Sequence, residues 1–95
     1  MANVSKEWAR EYVILSSRIA EQMMLCYELQ RFVRTVDRYP AKFTAEEIHT
    51  EVEMLLDRSA ARFGEYLVSD DLNTQIDLTI GDFEEREEAS NYEEF

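Results

Sequence analysis

The sequence predicts a mainly α-helical protein, an antiparallel helical hairpin that pairs with a second copy into a dimeric bundle. Three observations point there. Apolar residues recur at alternating steps of four and three along the first third of the chain. Only two glycines and one proline punctuate 95 residues, fewer than the turns of a sheet-rich fold require. A helix-start signature stands at residues 43–48.

The first helix is expected over residues 5–38. Ser5 suits an N-cap, and Glu7 places an acid in the first turn, where the helix dipole favours it. Trp8, Tyr12, Leu15, Ile19, Gln22, Cys26, Leu29, Val33 and Val36 form a heptad seam with Gln22 as its polar member. Met23, Leu25 and Phe32 widen it. A helix of this length is about 50 Å long, and its apolar stripe calls for a covering helix. A lone polar seam residue such as Gln22 can set register or oligomeric state.

Pro40 disfavours helix at Tyr39 and ends the first segment. Thr44 and Glu47 have the spacing of a capping box, and Phe43 and Ile48 that of a hydrophobic staple. The second helix is therefore expected from residue 45 to about 66. Ile48, Val52, Leu55, Ser59 and Phe63 lie on one face, and Gly64 is either a C-terminal stop or a weak interior residue. A short loop between two long amphipathic helices predicts an antiparallel pair.

Residues 72–80 are ambiguous. Leu72, Ile76, Ile80 and Phe83 have helical spacing, whereas Ile76, Leu78 and Ile80 alternate with polar residues as a strand does. The low helix propensity of Asn, Thr, Ile and Asp tips the expectation towards an extended segment. The chain thus divides into a hairpin domain, 1–81, and an acidic tail, 82–95, expected to be solvated or ordered only conditionally.

Twenty-one acids face ten bases, for a net charge of −11. Residues 1–40 carry +1, and residues 82–95 alone carry −6. This balance argues against direct contact with nucleic acid, whose binding relies on cations neutralising phosphates. It favours a basic partner surface instead. One cysteine permits no internal disulfide. Neither a signal peptide nor an apolar run of membrane-spanning length is evident, so the expected location is cytoplasmic.

The residues offer little for catalysis. His49 is the sole histidine. Cys26 is expected to be a buried, inert seam thiol, distant from His49 in a hairpin. No glycine-rich phosphate loop is possible with Gly64 and Gly81 alone. Glu46 and His49 have the Glu-x-x-His spacing of di-iron bundles, and Glu53 follows four residues later. A metal-binding bundle on these three is thus an alternative, as is a purely structural coiled-coil subunit. The leading expectation is non-enzymatic, with no cofactor or metal.

That expectation is an interaction module. Glu46, Glu47, Glu51, Glu53 and Asp57 line the second helix. In the tail, Phe83, Tyr92 and Phe95 sit among Glu84, Glu85, Glu87, Glu88, Glu93 and Glu94. Carboxylates steer a basic partner and rings supply buried area. The last five or so residues, ending in Glu93, Glu94 and Phe95, resemble the acidic, phenylalanine-ended tips of bacterial single-stranded-DNA-binding proteins. The resemblance implies docking on partner proteins, without that family's oligonucleotide-binding barrel. Two forms are expected: an adaptor, or a nucleic-acid mimic of the phage or viral anti-defence type that occupies a nucleic-acid-binding protein.

Overall fold

The computed structural model describes the backbone of residues 4–93 and the side chains of residues 4–88. Among the described residues there are three α-helices and no strand: α1, Lys6–Arg38; α2, Ala45–Leu67; and α3, Asp70–Glu93. A short 3-10 turn, Pro40–Lys42, separates α1 from α2.

The caps explain two of the helix starts. The Trp8 N–H donates to the Ser5 hydroxyl at 3.1 Å, and the Glu47 N–H donates to the Thr44 hydroxyl at 3.1 Å. Each satisfies a backbone donor that the first helical turn leaves without a partner. The Thr44 hydroxyl in turn donates to the Glu47 carboxylate at 3.1 Å, so the box closes side chain to side chain. Both staple residues, Phe43 and Ile48, are half-buried, and Phe43 meets Phe32 edge to face at 5.6 Å. At α1's end Tyr39 adopts φ −132° and ψ 58°, outside the helical region that the following proline disfavours.

Of the two expected roles for Gly64, the interior one is found: it has no positive φ, and α2 runs on to Leu67. The stop comes at Ser69, whose N–H and hydroxyl both donate to the Tyr66 carbonyl, at 3.1 and 2.7 Å. The expected extended segment at 72–80 is instead the opening of α3. Leu72 and Ile76, one turn apart, are 2% and 1% exposed, whereas Leu78 is 59% exposed. Burying those two side chains is worth about 2 kcal/mol each, which exceeds the few tenths per residue of poor helix propensity. α3 also continues through the expected 81/82 boundary without a break.

The chain divides into two compact units, Met1–Ser17 with Tyr66–Phe95, and Arg18–Glu65. In the first, Ala9 and Val13 from α1 pack with Leu72 and Ile76 from α3; Val4, Ile14, Tyr66 and Ile80 pack around them. Ala9 is fully buried.

In the second unit, contacts link residues of rising number on α1 to residues of falling number on α2. Arg18 lies over the Phe63 ring at 5.1 Å, Glu21 pairs with Arg62, Glu28 with Arg58 at 3.8 Å, and Phe32 meets Phe43 in the connection. Leu55 and Ser59 are buried. Leu29, Phe32, Val33, Val36, Asp37, Ile48 and Val52 line a small, mostly apolar cavity of about 160 Å³.

Candidate functional site: an acidic helix and a ring cluster

Charge is distributed between the units very unevenly. The first unit holds twelve acids and three bases, a net of −9; the second holds nine acids and seven bases, a net of −2. Within the first, α3 carries nine acids and one base, Arg86. The acidic surface therefore begins at Asp70, twelve residues before the expected tail. Ser69 followed by Asp70 and Asp71 is a helix-start pattern, and it is the signal that could have located this helix.

Of the tail residues, Glu84, Glu85 and Glu88 are exposed and Glu87 is half-buried. The Tyr92 and Glu93 side chains, and all of Glu94 and Phe95, lie outside the described residues. Phe83 is half-buried and is a packing residue of the helix. It meets Trp8 at 5.2 Å and Tyr12 at 5.4 Å, both nearly perpendicular, while Trp8 and Tyr12 stack on each other at 5.2 Å and 12°. Such offset and edge-to-face arrangements are favoured by the ring quadrupole. Arg86 lies over the other ring of this group, Phe83, at 5.0 Å, and pairs with Asp82 at 2.9 Å.

Along α2, Glu46, Glu47, Glu53 and Asp57 are exposed and Glu51 is half-buried. These acids belong to the second unit, where the arginines offset their charge. His49 is exposed. Among the described residues no three His, Cys, Asp or Glu side chains converge on a possible metal position, so the Glu46–His49–Glu53 alternative gains no support from geometry.

The heptad seam of α1 is largely open on a single chain. Trp8, Tyr12, Leu15, Ile19, Gln22, Cys26 and Val33 are exposed; Leu29 and Val36 are half-buried. On the single chain Cys26 is exposed and in no disulfide, so its expected burial would need a second copy over the seam. The physical reason is a rotation of the packed stripe. The chain buries or half-buries Ala9, Val13, Glu21, Leu25, Glu28, Leu29, Phe32 and Val36, and this stripe leaves the Ile19–Cys26–Val33 side uncovered.

A polar knot between α1 and α2 centres on Arg62. Its Nε and Nη2 donate to Glu21 Oε1 at 2.8 and 2.5 Å, and Nη2 also donates to Glu28 Oε1 at 2.6 Å. The Arg62 hydrogen bond holds the Glu21 carboxyl below its ordinary range; desolvation opposes this, and a Ser59 hydrogen bond adds to it. The two carboxylates raise the Arg62 guanidinium further above its ordinary value. This arrangement ties α1 to α2. It presents no nucleophile and no acid–base pair.

No helix among the described residues is long and apolar enough to cross a membrane. No protein-family model, curated protein or solved structure matches the chain.

Proposed function

We propose that this protein is a non-enzymatic interaction module in which α3 presents a concentrated negative surface to a basic protein partner. The observation that carries this reading is the charge of α3: nine acids against one base. A field of one sign accelerates and orients encounter with a surface of the other. The partner class that fits is a nucleic-acid-binding protein, with α3 occupying its cationic groove as an inhibitor, or a client protein recruited by an adaptor.

The second unit supplies the assembly half of the reading. We take its α1 and α2 segments as an antiparallel hairpin that pairs with a second copy across the open side of α1. Ile19, Met23, Met24, Tyr27 and Val33 are each about half exposed or more, and heptad spacing suits a symmetric helix partner.

Deleting residues 82–95 would remove Phe83 from the ring cluster, so charge neutralisation is the cleaner test. The full chain and a variant carrying Asp77→Asn, Glu84→Gln, Glu85→Gln and Glu88→Gln are compared as bait for a basic nucleic-acid-binding protein, with competing DNA. Capture by the wild type should fall steeply between about 0.05 and 0.5 M salt, and the variant should capture poorly at either. Capture indifferent to both salt and neutralisation would reject the electrostatic reading.

A further inference from the structure

The ring cluster of the first unit is held on one side and open on the other. Phe83 is half-buried beneath Trp8 and Tyr12, yet Trp8 remains 47% exposed and Tyr12 40%. Core packing alone does not call for two large rings to be left half in water, stacked in parallel one helical turn apart. Aromatic faces carry negative electrostatic potential and attract cations, above all a guanidinium, which is planar and weakly hydrated. The unit that holds these rings is acidic on balance, with a net charge of −9; in α1, Glu7 and Glu11 adjoin the rings, with Lys6 and Arg10 as the nearby bases.

Arg86 shows the same chemistry inside the molecule. The only cation of α3 rests on the Phe83 ring at 5.0 Å while a carboxylate, Asp82, holds it at 2.9 Å. A ring and a carboxylate therefore already hold a guanidinium at the edge of this cluster, and among the described residues no cation lies over the more exposed rings of Trp8 and Tyr12.

Resting on the acidic-module reading above, we propose that Trp8 and Tyr12 are the anchor point for the basic partner. An arginine of that partner stacks on the exposed indole and phenol faces, and the carboxylates of α3, with Glu7 and Glu11, neutralise the charge around it. The rings then supply selectivity for arginine over lysine, and the carboxylates supply long-range attraction. Exposed Trp and Tyr are also the residue types that most often dominate interface energetics.

Trp8 is the only tryptophan, so its emission reports on this surface directly. The full chain is titrated with labelled hexa-arginine and hexa-lysine peptides at low salt, following peptide anisotropy and Trp8 emission together. The expected result is a saturable change in emission and tighter binding of the arginine peptide. Trp8→Leu and Tyr12→Leu should each weaken that peptide by about five-fold, remove the preference over lysine, and leave a salt-sensitive remainder. Equal binding of both peptides with unchanged emission would overturn the anchor while leaving the acidic module standing. Absence of any peptide binding would overturn both. Emission that responds to protein dilution but not to peptide would assign the rings to a second copy instead. If either variant loses helicity, the wild-type emission and the arginine–lysine comparison still decide.

Discussion

Arg62 reaches back 41 residues to place both Nε and Nη2 on Glu21 Oε1, at 2.8 and 2.5 Å. It is the most specific tie between α1 and α2 in the second unit, because a two-donor contact fixes orientation as well as distance.

The tie makes stability depend on pH. The Glu21 carboxyl lies below its ordinary range in the folded chain, chiefly through the Arg62 hydrogen bond. A depressed carboxyl contributes stability that is complete above its unfolded value of about 4.3 and is lost as pH falls through the lower folded value. Glu21→Gln should therefore cost about 1 kcal/mol at neutral pH. In urea titrations the variant and wild-type curves should converge as the pH drops below about 4. A gap of constant size across that range would show that the carboxylate charge plays no part.

The packing of the first unit rests on few side chains. Ile76 is 1% exposed and Leu72 2%. Ile76→Ala should destabilise by about 2–4 kcal/mol, read as a lower urea midpoint. Leu78→Ala, at a residue 59% exposed, should cost well under 1 kcal/mol. Similar losses at both positions would favour the strand-like alternation over the helix.

Gly64 and Gly81 lie inside α2 and α3, and an added Cβ would meet nothing within 4 Å at either. Without positive φ at either position, each glycine only weakens its helix. Gly64→Ala and Gly81→Ala should each raise stability by about 0.5–1 kcal/mol. Thermal melting checks both, and a loss of stability would indicate a neighbour in contact with that position in solution.

Cys26 is exposed on the open side of α1. A thiol reagent should label it readily in dilute native protein and more slowly as concentration rises, if a second copy covers that side. Sedimentation over the same range should move from 11.3 kDa towards twice that mass. Ile19→Glu should hold both readouts at their dilute values, because a buried, unpaired carboxylate disfavours association. A labelling rate independent of concentration, with a constant single-chain mass, would remove the dimer.

Local signals in the sequence were sufficient for the beginnings of α1 and α2 and for the break between them. Ser5, Thr44 with Glu47, and Pro40 act within one turn of themselves, so neighbouring residues alone decide their hydrogen bonds. The long first helix was legible for the same reason, its spacing being a property of one segment. Legible too was the excess of acid, since charge adds up without reference to shape.

What needed the tertiary structure was every choice between surfaces. Local propensity spoke against a helix at Leu72–Ile80, and burial against Ala9 and Val13 overrode it. The seam read from spacing and the stripe packed by the chain are neighbouring faces of one helix, and only the partners on α2 and α3 selected between them. Phe83 looked like a tail ring until α3 placed it against Trp8 and Tyr12, some seventy residues away in sequence. Burial is a relation between distant segments, and a periodic pattern records which faces are apolar without recording which one finds a partner.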